Sequence, residues 1–317
     1  MESNNIIQHK SEILFFYDTT YNIPNGDPFT GEQRYDEETK KILVSDVRMK
    51  RFVRTYFEDK GLPVYVSEKT GAGKTDSKNV LKWIAENRNE KKLTDIGAIL
   101  KEQIDVRLFG GISTLGDDAG AIKVDGKGCT NGHVQYTGPV QFALLNPSLN
   151  KVNLRMHQNT THFTSKAENT QGSIGTTTIV PYSIMQIHGW LNPKIAESTG
   201  MTADDLKQLF EGLWYGTNGE GSSHSRTKSG QNSLLLLEVV YTQSNKKIYG
   251  VNQLVKVLNK EGKDDEQLRS MDDYQFDFSG LEEVAKSDKI ARVKFYTEVE
   301  TIKDILSKIE KFEEIKF

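Results

Sequence analysis

The sequence predicts an α+β protein, with one sheet that carries inserted segments. Short apolar and aromatic runs, typical of buried strands, occur along the whole chain, and amphipathic helical stretches separate some of them. Other strand-like runs are joined by short polar turns, as in hairpins. Because strands and helices do not alternate regularly, the pattern disfavours a doubly wound parallel sheet. No internal repeat is visible, and we expect residues 1–317 to form a single elaborated domain.

The first two elements are a strand and a cationic helix. Glu12–Tyr17 is short and aromatic, and the turn at 22–28, with two prolines and an Asn-Gly pair, ends it. Ser45 is a good N-cap for a helix that Gly61 stops, and a short strand at 62–66 follows. Spacings of three, four and seven residues predict one apolar face on this helix, formed by Met49, Phe52, Val53 and Tyr56.

The rest of the chain predicts one helical insertion, further strands and two more helices. Residues 67–103 contain two amphipathic stretches and form the insertion. Strand composition returns at 106–109, 134–145, 179–191 and 234–241. The last of these runs through a polar turn into 248–257, which predicts a hairpin. Amphipathic periodicity predicts helices at 202–215 and 299–316.

Composition narrows the class of protein. The 41 basic residues against 44 acidic ones give a net charge of −3, which excludes bulk electrostatic wrapping of nucleic acid but permits local basic surfaces. No apolar run approaches the roughly 18 residues of a membrane helix, and no secretory signal pattern is present. Cys129 is the sole cysteine and suits a reducing compartment. We expect a soluble cytoplasmic protein without a membrane partner.

Two polar segments differ from the rest of the chain. Residues 157–178 consist almost entirely of Gln, Asn, Thr, Ser, His and Gly, and they bury too little apolar surface to offset their own ordering entropy. The segment is therefore either mobile or ordered by a partner. Residues 216–233 are similarly rich in Gly and Ser, and they contain Arg226 and Lys228.

The helix after Ser45 concentrates positive charge. Arg48, Lys50, Arg51 and Arg54 occur within seven residues, and no acidic residue lies between Val47 and Phe57. Like charges at helical spacing repel by a few tenths of a kcal/mol per pair, roughly, and a polyanion would relieve this repulsion. A solvated face, or pairing with distant acids, remains the alternative.

Patterns for catalysis or cofactor binding are incomplete. Residues 70–75 imitate a phosphate-binding loop, but position 68, where the pattern requires glycine, is Glu68. His157 and His162 have no third ligand nearby in the sequence, and His188 in a strand reads as a structural histidine. The sequence therefore predicts no metal site, no cofactor and no catalytic residue.

Six motifs spread over nearly the whole chain resemble the backbone subunit of type I CRISPR-associated Cascade complexes, closest to the type I-B form, in the RAMP superfamily. They are Tyr21-Asn-Ile-Pro24-Asn25-Gly26-Asp27-Pro28, Val44-Ser45-Asp46-Val47-Arg48-Met-Lys50-Arg51, Asp105-Val106-Arg107-Leu108-Phe109-Gly110, Gly138-Pro139-Val140-Gln141-Phe142, His188-Gly189 and Arg226-Thr-Lys228-Ser-Gly230-Gln231. Ile23 departs from the family, which usually carries Asn there. The resemblance implies an RRM-like (ferredoxin-like) palm in a right-hand shape, with 67–103 as a helical finger and 146–180 as an extended thumb.

The resemblance also implies a function without catalysis. Copies of such a subunit assemble head to tail along one guide RNA (crRNA), present it to a complementary target DNA strand and meet other Cascade subunits. Arg and Lys would hold phosphates without reading sequence. The residues expected to contact RNA are Asn25, Arg34, Ser45, Arg48, Lys50, Arg51, Arg54, Arg226 and Lys228.

Two enzymatic alternatives stay open at this point. Related type III backbone subunits cut RNA with a metal ion and a loop aspartate, for which Asp27, Asp36 and Asp46 are the candidates here. A nucleotide hydrolase would use Gly73-Lys74-Thr75.

Overall fold

A computed structural model of the chain describes residues 6–67, 76–87, 93–160, 174–219 and 229–317. The strands are β1 (Ser11–Asn22), β2 (Tyr35–Asp36), β3 (Lys41–Ser45), β4 (Gly110–Thr114), β5 (Lys123–Val124), β6 (Lys127–Gly128), β7 (His133–Thr137), β8 (Val140–Phe142), β9 (Leu145–Pro147), β10 (Arg155–Thr160), β11 (Ile174–Leu191), β12 (Gln231–Tyr241), β13 (Lys256–Asn259), β14 (Tyr274–Asp277), β15 (Ile290–Tyr296) and β16 (Phe312–Glu314). The helices are α1 (Asp46–Asp59), α2 (Ser77–Asn87), α3 (Ile96–Lys101), α4 (Ile104–Phe109), α5 (Pro193–Thr199), α6 (Ala203–Thr217), α7 (Ser279–Ala285) and α8 (Glu300–Leu306).

The central sheet has seven strands in the order β10-β11-β1-β12-β15-β16, and β8 pairs with β11 as well. All of its pairs are antiparallel except β15 with β16. The sheet is therefore mixed, and the α+β class predicted from the sequence is confirmed.

Alternate residues of β1 enter two different cores, because successive side chains of a strand point to opposite faces. Ile13, Phe15 and Tyr17 pack beneath α1 and α6. Leu14 and Phe16 pack on the other face, beneath the C-terminal elements β14, α7 and α8. Both faces are covered, and this is why the strand reads as a continuous apolar run.

A third, smaller core belongs to the region predicted as the finger. Leu81 and Ile84 of α2 pack with Ile99 of α3, and this core also takes in Ile122 and Cys129 from outside the predicted range 67–103. The two helices predicted there are present in the described residues. The limits of the finger and thumb, and the single-domain organisation, stay predictions.

Two predicted strands are helix or irregular structure instead. Residues 106–109 belong to α4, where Ile104 and Leu108, four positions apart, face the core beneath α1. A four-residue apolar run cannot by itself distinguish a buried helix from a strand. Residues 62–66 form no strand.

The predicted hairpin of 234–241 with 248–257 is wrong. β12 is already paired on both sides, with β1 and with β15, so no free edge remains for a following strand. The chain leaves the sheet, and β13 pairs with β14 instead. The predicted strand at 134–145 is split at Gly138, where a side chain would lie 2.1 Å from the Phe109 carbonyl carbon.

The predicted helices 202–215 and 299–316 have different outcomes. α6 is confirmed, with Thr202 and Asp205 forming a capping box at its start. α8 ends at Leu306, and residues 312–314 form the edge strand β16. Lys311 takes a left-handed φ of 65° before that strand, which breaks the helical periodicity.

Candidate nucleic-acid interface

The start of α1 is held in place by the loop before it. The Asn25 side-chain oxygen accepts hydrogen bonds from the Ser45 amide at 2.7 Å and from the Ser45 hydroxyl at 2.9 Å. Ser45 occupies the N-cap position, as predicted, but its side chain accepts no bond from the helix amides. Asn25 is 8% exposed, so it fixes the loop to the helix from within the fold.

The helices α1 and α6 cross closely and run antiparallel. Gly212 lies against Val53 and Phe57, and Gly216 lies so close to Phe52 that an added Cβ would be 2.9 Å from the Phe52 carbonyl oxygen. The C-terminal end of α6 therefore lies beside the N-terminal half of α1. Glycine is required at this crossing because the backbones approach within the space of a side chain.

The glycine-rich segment leaves and re-enters the fold at the same place. The Thr20 amide donates to the Gly230 carbonyl at 3.1 Å, and the Asn22 side chain donates to the Ser229 carbonyl at 2.7 Å. On the other flank, the Ser233 amide donates to the Asn218 side chain at 2.6 Å. Arg226 and Lys228 themselves lie outside the described residues.

A polar hairpin extends from the same end of the sheet. Asn22, the last residue of β1, pairs with Val180, and β11 continues outward to pair with β10 from Arg155 to Thr160. Composition alone predicted a segment without structure of its own at 157–178. Its described flanks instead form an antiparallel ladder that satisfies their backbone groups and continues a strand of the core. Residues 161–173 of the predicted thumb lie outside the described residues.

Arg48 lies on α1, close to the Phe52 ring and to Tyr17 of β1. Its guanidinium carbon is 3.9 Å from the centre of the Phe52 ring, and its Nε and Nη2 atoms are buried without a hydrogen-bond partner among the described residues. Burial lowers the pKa of Arg48 to about 10, with Tyr17 opposing this shift and the nearby Arg51 adding to it. Arg48 is therefore a cation at neutral pH, and the part of the chain that the structure covers offers no hydrogen-bond acceptor to two of its nitrogen atoms.

Three of the other predicted cations are already paired with acids. Arg54 Nε lies 2.9 Å from Asp105 Oδ2, Lys50 Nζ lies 3.0 Å from Asp46 Oδ2, and Arg34 Nη1 lies 3.2 Å from Asp27 Oδ2. Arg51 is half-buried on the same helix. Of the four cations of the helix, Lys50 and Arg54 are thus paired with acids. Among the described residues, two buried nitrogen atoms of Arg48 and the Nε atom of Arg34 have no acceptor.

Asp105 is the residue of this region that the sequence did not single out. It is fully buried, and besides Arg54 it accepts bonds from the amides of Tyr65 at 2.8 Å and Val66 at 3.1 Å. It ties α1 to the chain that enters the finger. An acid 51 positions from its partner leaves no periodic signal in the sequence, although it lies within one of the motifs quoted above.

The three loop aspartates proposed for metal-dependent cleavage serve local structure. Hydrogen bonds from the Phe29 amide above all hold the pKa of Asp27 below its ordinary value, and the Thr39 hydroxyl does the same for Asp36. Asp46 pairs with Lys50. Within the described ranges, no three His, Cys, Asp or Glu side chains are grouped so that they could hold a metal ion.

The remaining predicted sites have mixed outcomes. Gly73-Lys74-Thr75 and His162 lie outside the described residues. His188 is half-buried in the sheet, and its Nε2 atom lies 2.7 Å from Glu12 Oε2, which confirms a satisfied structural histidine. In the part of the chain that the structure covers, no helix is long and apolar enough to cross a membrane.

The fold is a mixed sheet covered by a cationic helix, and the polar hairpin and the flanks of the glycine-rich segment lie at one end of this sheet. Sequence comparison identifies the family of the protein. The family model described as CRISPR-associated protein Cas7 matches residues 9–279. The CRISPR-associated protein Cas7 of Haloferax volcanii is 31% identical over 287 residues, which cover 87% of this chain and 82% of the relative. The chain belongs to the Cas7 family, and the resemblance found in its motifs is confirmed.

Solved structures share the fold. A chain of a CRISPR RNA-guided surveillance complex in a pre-nicking state is 12% identical, with a TM-score of 0.52 and coverage of 97% of this chain and 96% of that one. A chain of another CRISPR RNA-guided surveillance complex is 14% identical, with a TM-score of 0.52 and coverage of 97% and 95%. At such identities the likeness concerns the fold alone.

Proposed function

We propose that this protein is a non-enzymatic backbone subunit that binds crRNA, assembles with copies of itself along it, and presents it for pairing with target DNA. Membership of the Cas7 family and a fold shared with chains of RNA-guided surveillance complexes support this role. Other Cascade subunits would complete the assembly, which we place in the cytoplasm. The central sheet would be an RRM-like palm of a right-hand shape, with residues 67–103 as the finger and 146–180 as the thumb.

The observation that carries the proposal is that two buried guanidinium nitrogen atoms of Arg48 have no acceptor among the residues that the structure describes. A half-buried cation with two unsatisfied N–H groups is costly, since such donors have lost water without gaining an acceptor. A phosphate oxygen would supply both the acceptor and the opposite charge. We infer a nucleic-acid polymer, and not a single phosphate group, as the partner. The reason is that the polar hairpin and both flanks of the glycine-rich segment lie at the same end of the sheet and extend the surface that a polymer could contact.

The predicted contacts divide into three groups. We assign phosphate binding to Arg48 on the ground of its two nitrogen atoms without an acceptor among the described residues. Arg51, Arg226 and Lys228 stay predicted phosphate contacts, the last two from the glycine-rich segment. Asn25, Ser45 and Arg54 would act by fixing the position of α1, because their side chains are bonded within the fold. Arg34 and Lys50 would contribute only after leaving their acid partners.

The test is RNA binding by a volume-conserving variant, Arg48→Met, in the full chain. Arg48→Met should weaken binding of a labelled crRNA by about tenfold or more, and by a similar factor for unrelated RNA sequences, since phosphates carry no sequence. The slope of log affinity against log salt should become shallower by about 0.7, the value for one lost contact to a single strand. Fluorescence anisotropy at several salt concentrations measures both.

Three controls complete the design. Lys207→Met removes an exposed cation of α6 and should leave RNA affinity unchanged. Unfolding in urea should show Arg48→Met to be as stable as the parent, because no ion pair is lost. RNA affinity unaffected by Arg48→Met would overturn the assignment. Cleavage of target RNA on adding magnesium, lost in Asp27→Asn, would favour a metal-dependent endoribonuclease instead.

A further inference from the structure

An aromatic surface lies on the sheet face opposite α1. Alternate residues of β11 face this side, where Tyr182 and Ile184 are covered by the C-terminal elements. These C-terminal elements do not cover Trp190, which remains 37% exposed. Glu12 of β1 and Gln141 of β8 flank Trp190 in the register of the sheet. This surface is at the end of β11 away from the polar hairpin.

The aromatic pair on this surface is held rigidly from below. The rings of His188 and Trp190 are 4.3 Å apart at 43°. Glu12, which is 2% exposed, lies 2.7 Å from His188 Nε2 and accepts a hydrogen bond from the Tyr241 hydroxyl at 2.6 Å. Burial raises the pKa of Glu12, but the bonds from His188 and Tyr241 outweigh it and leave the pKa below its ordinary value.

The rim of the surface is positively charged. The Lys10 ammonium lies 5.0 Å from the centre of the Tyr241 ring, and the charge of Lys247 acts on Glu12. Lys247 also lies 5.3 Å from the ring of Tyr249, which is 85% exposed. The Ile248 amide donates to the Tyr241 hydroxyl at 3.2 Å, which ties this lysine-bearing loop to the aromatic pair.

We propose that Trp190, with His188 behind it and Lys10 and Lys247 at its rim, forms a second nucleic-acid surface that stacks an unpaired base of a single strand. Aromatic faces supply stacking that tolerates any base, and the lysines supply contacts to phosphate. The acid at its centre is buried and bonded to His188 and Tyr241, so it does not face the strand. Glu12 is a positioning residue, because it sets the orientation of the imidazole without reaching the surface.

This surface is separate from the Arg48 site, and it would bind the bases of a strand instead of its phosphates. Arg48 lies on the opposite face of the sheet and would hold phosphates, whereas Trp190 offers a ring face to a base. The inference therefore goes beyond the proposed function and can fail without it. A strand that remains unpaired in an RNA-guided complex could be DNA displaced from the target duplex or a free end of RNA.

The experiment measures single-strand binding by the full chain preloaded with crRNA, so that the Arg48 site is occupied. The probes are labelled dT20 and U20, which separate the two sources of the strand. In the variant Trp83→Phe, Trp190 is the exposed tryptophan, since Trp214 is fully buried. Adding dT20 or U20 should quench its fluorescence. Trp190→Ala should weaken binding by about tenfold, in line with the loss of one stacked base.

Matched variants distinguish stacking from structural damage. Trp83→Ala removes the other exposed tryptophan, on α2, and should leave affinity unchanged. Trp190→Phe should retain most of the affinity. Glu12→Gln should weaken the affinity for the labelled probes less than Trp190→Ala does. Quenching that persists in the double variant Trp83→Phe with Arg48→Met, without bound crRNA, would support a separate surface.

The outcomes against the proposal are equally definite. Equal affinities of the parent and Trp190→Ala for both probes would overturn it. A Trp190→Ala variant that binds both probes normally but no longer assembles on crRNA would show a protein contact in place of a nucleic-acid one. Neither result bears on the Arg48 site, which the salt dependence of crRNA binding tests independently.

Discussion

Arg48 and Arg54 are the same residue type, six positions apart on α1, yet their surroundings differ completely. Arg54 is bonded to Asp105, a fully buried acid that also accepts two backbone amides. Arg48 rests on the Phe52 ring, and two of its nitrogen atoms have no acceptor. The first arginine is part of the framework, and the second retains donors for a ligand.

The difference shows that a cluster of positive charge is not a binding site by itself. Electrostatic repulsion along the helix favours binding of a polyanion by all four cations. One of them, Arg54, is instead paired with Asp105, and nothing in the sequence pattern indicates this ion pair. The informative property is an unsatisfied donor, because buried polar groups in folded proteins are nearly always paired. The tests below probe this distinction, beginning with the largest expected effect.

Arg54→Met should destabilise the protein strongly. It leaves the Asp105 carboxylate buried without its counter-charge, and breaking a buried pair in this way costs about 3 kcal/mol or more of unfolding free energy. Urea unfolding followed by circular dichroism measures the loss. The double variant Arg54→Met with Asp105→Asn should recover part of it. If Arg54→Met were as stable as Arg48→Met, the contrast between the two arginines would fail.

Asn25→Ala should have an intermediate effect. It removes the acceptor for the amide and the hydroxyl of Ser45, and leaving such donors unsatisfied costs about 2 kcal/mol. The control is Asn25→Asp, which keeps an acceptor oxygen but adds negative charge near the proposed phosphate site. Asn25→Asp should therefore unfold close to the parent while binding RNA more weakly. Equal loss of stability in both variants would contradict a role for the acceptor.

The smallest expected effect concerns Asp18, a buried acid whose hydrogen-bond donors among the described residues are the neutral side chains of Asn232 and Tyr182. Burial raises its pKa above the ordinary 3.8, and the bonds from Asn232 and Tyr182 do not fully offset this. The folded state therefore binds the proton more tightly than the unfolded state does. The contribution of Asp18 to stability is fully present below pH 3.8 and decreases as the pH rises through the raised pKa.

The measurement for Asp18 is urea unfolding of the parent and of Asp18→Asn between pH 4 and pH 7. The unfolding free energy of the parent relative to Asp18→Asn should fall as the pH rises, because the variant has no carboxyl to ionise. A difference independent of pH would mean that a lone buried charge is tolerated in this fold. The reasoning applied to Arg48 would then lose its support.

Much of the molecule follows from local patterns in the sequence. Continuous apolar runs predicted β1, β11 and β12, and helical periodicity predicted α1 and α6, since a core must be covered on matching faces. The motifs identified the family, which the comparisons confirm. The cations of α1, the glycine-rich segment and the polar hairpin were all singled out by composition before their positions were known.

Tertiary structure decided which strands pair, which charges remain unsatisfied and which aromatic residues stay exposed. The predicted hairpin is excluded because both edges of β12 are already paired. Arg54 forms an ion pair with Asp105 and is therefore not available to a ligand. The sequence also does not indicate that the C-terminal elements packed on β11 leave Trp190 exposed. Each of these depends on contacts between residues far apart in the chain, whereas composition and periodicity report only on neighbours.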